Sequence, residues 1–414
     1  MVGTGIYITG LGQSFNNETV EKYAERVVNE LKFNTTGIDY LLEVEKKTYG
    51  VNNRETTLVN IYKTDWVKPQ ELVYRLYDFK YHEILTERFN KNNILIKSSI
   101  LLTLVIKKIP QVVKRLFIRD GYTKPYLALY AFVMLLIVSM SIFFLFPAII
   151  DVLVEIIGKV THLFDTGTVE AAKATLPKEN STMIEGVLTT LKDFSRTVSP
   201  IIAFIIILIP QSQTMVTTMA TEFACVDNYI VNGEQSQIVL GHLDALVDHV
   251  TEQNRDSRLH FHCYSFGSLL AMDYLFPITQ VIRKDTMDYT DVLITIGNPY
   301  EFINSYYPNF YSSRYAVMQD KLTWLNIYSI SDALATNFRK DEKKAEAQFG
   351  IKEIPLKPVN LNYEPSQYKP FNLYNFLSFH SIRVHKCYWD SSPSGQSCMG
   401  ILVPYMMQNK MLQA

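Results

Sequence analysis

Apolar and polar positions follow two rhythms along this chain, separated by a long stretch that keeps neither. Ile6 to Thr9 is a short apolar run ending at Gly10-Leu11-Gly12-Gln13, the pattern of a strand that enters a tight loop. Thr19 to Leu31 then has helical spacing, with Val20, Tyr23, Val27, Val28 and Leu31 on one side. Leu58 to Tyr62 predicts the next strand, followed by Trp66 and Pro69. Strand, loop, helix and strand form the opening of an α/β unit. The same rhythm resumes after Glu222. Ile238 to Val250 is helical through Leu240, Leu243, Leu246, Val247 and Val250, and Arg258 to Cys263 predicts a strand. Leu269 to Tyr274 predicts a helix, Val292 to Ile296 and Leu322 to Ile330 two further strands, and Asn304 to Tyr315 a loop.

Between about residues 93 and 222 the pattern changes. Pro125 to Ile150 holds no charged residue and includes the runs Ala131 to Val138 and Ile142 to Leu145. As one helix it would be about 39 Å long, enough to cross a hydrocarbon core of about 30 Å. Thr197 to Thr221 is also free of charge but densely apolar only from Ile201 to Ile209, and Pro200, Pro210, Gln211 and Gln213 interrupt it. If the flanking segments build one domain they lie on one side of the bilayer, so crossings come in an even number. Two spans are therefore expected, with a re-entrant or interfacial second segment as the alternative. Ile94 to Ile106 sets Ser99, Thr103 and Lys107 against an Ile/Leu/Val surface, and Lys107, Lys108, Lys114, Arg115, Arg119 and Lys124 follow. That is the composition of an interfacial basic helix beside an anionic lipid surface, and the positive-inside rule places the N-terminal segment in the cytoplasm. The expected organisation is residues 1–92 and 223–414 as two parts of one α/β domain, and 93–222 as a helical membrane insertion.

Composition changes this picture little. Of 414 residues, 48% are apolar and 20% charged, as in folded proteins, and 40 basic against 41 acidic residues give no overall attraction to nucleic acid. Cys225, Cys263, Cys387 and Cys398 are scattered without a C-x-x-C pair, which argues against a disulfide scaffold or a zinc site. His260 and His262 share one face of a strand, but no cluster at metal spacing accompanies them; hydrogen-bonded strand histidines are expected. Gly10-x-Gly12 does not continue into a dinucleotide fingerprint and there is no P-loop, so neither a cofactor nor a metal is expected.

The strongest chemical signal is Cys263-Tyr264-Ser265-Phe266-Gly267-Ser268, set between an expected strand and an expected helix. A sharp strand-to-helix turn lifts a serine hydroxyl clear of the sheet and needs small residues on either side. This resembles the nucleophile elbow of α/β-hydrolases, G-x-S-x-G, with Cys263 where the first glycine usually sits. The resemblance covers most of the chain outside the insertion and implies an α/β-hydrolase-type, mostly parallel sheet with Ser265 as nucleophile. In that family the acid and the histidine follow the serine in chain order. The acid position falls on Asp332, after the expected strand Leu322 to Ile330, the alternative role of Asp332 being a turn or a helix cap. Two histidines compete as base, His380 and His385. His385 opens His385-Lys386-Cys387-Tyr388-Trp389, which looks like the H-x-x-Y-W ending of some lipase-like hydrolases, and it is preferred. Thr9 to Gln13 resembles the oxyanion loop, with Thr9 in the family's histidine position and without the leading strands of larger relatives. The backbone N–H groups of Leu11 and Phe266 would then face the developing oxyanion.

The implied activity is ester hydrolysis at a membrane, of lipids or phospholipids, through a Ser-His-Asp triad and an acyl-enzyme. The same fold hosts acyltransferases and peptidases, and an inactive hydrolase-like scaffold or receptor is the alternative from another class. A soluble lid with a greasy inner surface is the alternative for the insertion. The sequence does not select an oligomeric state.

Overall fold

In strand β1 (Gly3–Ile8) every side chain is buried, as expected of a parallel strand covered on both faces. The computed structural model describes residues 2–11, 18–65, 68–92, 94–117, 212–279, 281–341, 343–365 and 383–413. Helix α1 (Val20–Asn34) starts at Thr19, whose hydroxyl accepts the Lys22 N–H, with Glu21 in its first turn and Lys32 in its last. It buries Val20, Tyr23, Ala24, Val27, Val28 and Leu31, the stripe that the sequence pattern predicts. Thr35 ends it by donating its hydroxyl to the Leu31 carbonyl at 2.7 Å.

Three strands follow, β2 (Asp39–Tyr49), β3 (Arg54–Asp65) and β4 (Lys68–Asp78). Helices α2 (His82–Lys91), α3 (Ile94–Phe117), α4 (Ser212–Asn232) and α5 (Glu234–Gln253) lead to β5 (Arg258–Tyr264) and α6 (Phe266–Leu275). The remaining elements are α7 (Lys284–Tyr289), β6 (Thr290–Ile296), α8 (Tyr300–Tyr306), β7 (Thr323–Tyr328), β8 (Val359–Asn362) and α9 (Met399–Gln408). The eight strands form one mixed sheet in the order β2-β3-β4-β1-β5-β6-β7-β8. From β4 to β8 all neighbours are parallel, and only β2-β3 and β3-β4 are antiparallel. The sheet is therefore mostly parallel with an antiparallel arm at one edge.

Helices cover both faces. On β5, His262 meets Tyr23 of α1 while its neighbour Phe261 packs against Tyr274 of α6. Successive strand residues point to opposite faces, so α1 and α6 lie on opposite sides of the sheet. Leu402, Val403 and Met406 of α9 join the α1 side of the core.

Several expectations need correction. Asn304 to Tyr315 is not simply a loop, because Pro299 starts helix α8, which buries Tyr300, Phe302, Ile303 and Tyr306 before the chain turns. Strands β2, β4 and β8 were not expected, and the β7 strand ends at Tyr328 rather than Ile330. The span Pro125 to Ile150 lies outside the described residues, as does the part of the second span before Ser212. The rest of that second stretch opens α4. Among the described residues no helix is long and apolar enough to cross a membrane. The chain divides into two compact units, one of Met1–Leu85, Gln111–Phe132 and Asn228–Ala414, the other of Thr86–Pro110 and Val133–Asp227. The sheet and every expected site residue belong to the first.

Buried titratable groups tie strands to helices within that unit. His262 lies 2.8 Å from the Tyr23 hydroxyl through Nδ1 and 2.7 Å from the Tyr74 hydroxyl through Nε2. Tyr74 in turn lies 2.6 Å from His260 Nδ1. Burial, then the neighbouring His260, holds His262 well below the usual imidazole range. The unfolded chain takes up a proton near pH 6.5 and the folded one resists it, so this histidine's stabilisation is complete above that pH and is lost as pH falls. Asp78, at the end of β4, acts in the opposite sense. Burial pushes its carboxyl up to about 7, so its contribution is lost as pH rises from about 4 through 7. Chemical denaturation from pH 5 to 8 is expected to show His262→Gln flattening the low-pH loss, and Asp78→Asn gaining stability relative to wild type at pH 8.

Candidate active site

Ser265 sits alone between the end of β5 and the start of α6, with φ 51° and ψ −120°. Few non-glycine residues hold such a backbone, which costs on the order of 1–3 kcal/mol and persists only when its surroundings enforce it. They do so here. The Ser265 N–H donates to the Ile296 carbonyl of β6 at 2.8 Å, and its own carbonyl accepts the Ser268 N–H at 2.9 Å. Helix α6 then passes so close to β1 that a Cβ on Gly267 would lie 2.3 Å from the Ile8 oxygen and 2.7 Å from the Thr9 oxygen. No side chain fits there. Cys263 departs from the glycine of the family pattern without strain, because it is still inside β5, paired with Ile8 and Thr295.

The histidine and the acid meet this serine in line. His385 Nε2 lies 2.7 Å from Ser265 Oγ, and His385 Nδ1 lies 2.7 Å from Asp332 Oδ2. Asp332 follows β7 in a turn and is fully buried, and its Oδ1 accepts the Leu334 N–H at 2.8 Å. A buried carboxylate on Nδ1 fixes the tautomer and leaves Nε2 free to take a proton from the hydroxyl. Ser265 itself is half-buried, so an incoming group can reach it. His380 lies outside the described residues.

The Tyr388-Trp389 ending pins the histidine. Trp389 packs on Tyr264 with ring centroids 4.9 Å apart and carries the Arg26 guanidinium 5.2 Å above its ring. Arg26, buried in α1, pairs with Glu18 at 2.8 Å and donates to the Asp390 carbonyl at 2.9 Å. Tyr264 stacks on the His385 imidazole, centroids 5.6 Å apart, and donates its hydroxyl to the His385 carbonyl at 2.6 Å.

The two residues expected to supply oxyanion donors, Leu11 and Phe266, both lie beside Ser265. Phe266 is the first residue of α6, so its N–H belongs to the helix's opening turn, where no intrahelical acceptor exists. Gly10 comes so near Ser265 that a Cβ on it would lie 3.0 Å from Ser265 Cβ, and Leu11 follows directly. Gly12 and Gln13 lie outside the described residues. Thr9 turns its carbonyl to the Tyr81 hydroxyl at 2.8 Å.

Two residues of the site were not foreseen. Gly297, at φ 60°, closes the wall behind the histidine, and a Cβ there would lie 3.0 Å from His385 Cε1. Glu364 braces the loop that presents Asp332. Its carboxylate accepts from Ser329 Oγ at 2.7 Å, the Ile330 N–H at 2.9 Å and Ser331 Oγ at 3.1 Å. Burial pushes this carboxyl up, but the hydrogen bonds outweigh burial and the net effect is a lowered pKa. Gly297-Asn298-Pro299 after β6 has the composition of a turn and could have pointed to Gly297, whereas nothing local to Glu364 points to its role.

Histidines 260 and 262 are held by tyrosines, as hydrogen-bonded strand histidines should be. Among the described residues no group of three or more His, Cys, Asp and Glu side chains is placed to hold a metal. No protein-family model, curated protein or solved structure matches this chain. The geometry of the site therefore carries the functional argument.

Gly297→Ala tests how the histidine is held. The added methyl group is expected to displace His385 from Ser265 while leaving the sheet intact, at a cost of about 1–3 kcal/mol in denaturant unfolding.

Proposed function

We propose that this chain is a membrane-associated serine hydrolase of the α/β-hydrolase type, cleaving carboxylic esters of lipids through an acyl-enzyme. The observation that carries the reading is the continuous line from Ser265 Oγ through His385 to Asp332, two contacts of 2.7 Å, built on a serine with a strained backbone. An unstrained structural serine needs neither the backbone outlier nor a histidine backed by a buried carboxylate.

The reaction begins when Ser265 Oγ attacks the ester carbonyl and His385 Nε2 takes its proton. The Asp332 carboxylate stabilises the imidazolium without accepting its proton. The negative charge on the tetrahedral oxygen falls to the N–H groups of Phe266 and Leu11, where loss of one donor costs on the order of 100-fold or more in rate. The C–O bond to the alcohol breaks, His385 returns the proton to the leaving oxygen, and the acyl group stays on Ser265. Water then attacks the acyl-enzyme with His385 as base, and the acid departs with Ser265 restored.

The choice of a lipid substrate rests on α3. Its 24 residues include no Asp or Glu. Ile96, Ile100, Ile106, Ile109 and Val113 are exposed on it, together with Lys107 and Lys114, whereas Leu101, Leu104 and Val105 are buried. Exposed branched apolar side chains interleaved with lysines suit the headgroup region of an anionic bilayer. Residues 125–150 and 197–221 would add the anchoring spans, with the catalytic domain on the cytoplasmic side.

Two experiments test the reading. A fluorophosphonate probe is expected to label the detergent-extracted protein at Ser265, with labelling lost in Ser265→Ala and His385→Ala. An unlabelled, folded wild type would refute catalysis. Replacing Ile106 and Ile109 by Asp is expected to cut hydrolysis of an ester in anionic vesicles at least about tenfold. Hydrolysis of a water-soluble ester should stay unchanged, and equal losses on both substrates would remove α3 from substrate access.

A further inference from the structure

Asp332 carries more than the histidine. Its Oδ2 accepts from His385 Nδ1 at 2.7 Å and also from the Tyr388 hydroxyl at 2.9 Å. The Tyr388 oxygen accepts in turn from the Ser329 N–H at 3.1 Å. A short polarised chain thus runs from a backbone amide through a phenol into the oxygen that faces the imidazole. All three side-chain groups are buried, where such bonds are stronger than in water and where each donor subtracts from the charge the carboxylate offers its other partner. Burial, then the charge of Asp332, keeps the Tyr388 phenol well above its usual range, so it remains a donor. Its ring stands edge-on to the imidazole, interplanar angle 88°, with centroids 6.3 Å apart.

We infer that Tyr388 is a positioning residue of the triad, its hydroxyl sharing Asp332 Oδ2 with His385 and so limiting how strongly the carboxylate holds the imidazolium. The inference rests on the hydrolase reading above and adds a residue to it. With the hydroxyl present, Oδ2 divides its charge between two donors, so the carboxylate orients the histidine while holding the imidazolium less tightly than it would alone. Without it, Oδ2 becomes the stronger acceptor, the imidazolium is favoured, and the carboxylate can rotate about the remaining Leu334 bond.

The test is Tyr388→Phe in the full chain, which keeps the ring and removes one oxygen. The rate of fluorophosphonate reaction at Ser265 is measured across pH. It is expected to fall about 10- to 100-fold at its optimum, because a carboxylate held by one bond fewer no longer keeps the imidazole aligned on Ser265. Its acid limb is expected to move to higher pH by about half a unit to one unit. A fall in rate with an unmoved limb would mean that Tyr388 only supports the fold, and would overturn the inference, as would no change in either. Incorporation of 3-fluorotyrosine at position 388 keeps the shape and strengthens the donor, so the limb should move the other way; no movement would again overturn it. A reactive wild type with an unmoved variant limb refutes the role of Tyr388 alone. An inert wild-type Ser265 refutes the hydrolase reading and this inference with it. Low-field proton NMR of the Asp332–His385 bond needs no catalysis, and the Nδ1 proton should lie further downfield in Tyr388→Phe than in wild type.

Discussion

Helix α6 starts so near the end of β1 that a methyl group on Gly267 would come within 2.3 Å of the Ile8 carbonyl oxygen. The rest of the site depends on that approach. With the helix held so close, the chain leaving β5 has one residue in which to reverse, and Ser265 accepts a backbone that serine disfavours. The turn is tied to β6 by the Ser265 N–H and to α6 by its carbonyl, so sheet and helix packing supply the energy that keeps it. Both faces of the sheet contribute. Side chains on the α6 side set the helix against the strands, while Tyr23, Tyr264 and Trp389 on the α1 side support the histidine.

Within the parallel part of the sheet β1, β5, β6 and β7 were legible, because a strand buried on both faces is a continuous apolar run bounded by turns. Strand β2 was not. Its sequence Asp39 to Tyr49 lies at the sheet's edge, mostly exposed, and lacks both the continuous run and a clean alternation. With only four residues, β8 is too short to carry a period. Its Asn360 and Asn362 side chains instead make polar bonds to Asn326, Asn337, Ala345, Tyr328 and Glu364.

The site was legible for a related reason. Ser265 and Gly267 report their chemistry locally, because the turn makes demands on adjacent residues. Asp332 and His385 could be reached only through chain order and the H-x-x-Y-W resemblance, and the structure brings both to the serine. Gly297 and Glu364 were missed because each acts on a group far away in sequence, Gly297 on the His385 ring and Glu364 on the Ser329 to Ser331 turn. Such constraints exist only after the chain has folded. Cys263, the one departure in the elbow pattern, lies inside β5, where the backbone does not take the positive φ that favours glycine.

If Ser265 is the nucleophile, it forms a covalent acyl intermediate. Detergent-extracted protein would be mixed with an activated long-chain ester, quenched in acid within the first turnover, and digested for mass spectrometry. An acyl group is expected on the peptide that contains Ser265, at close to one per chain, and none in Ser265→Ala. Ester turnover without that adduct, or an adduct on another residue such as Cys387, would contradict that role for Ser265.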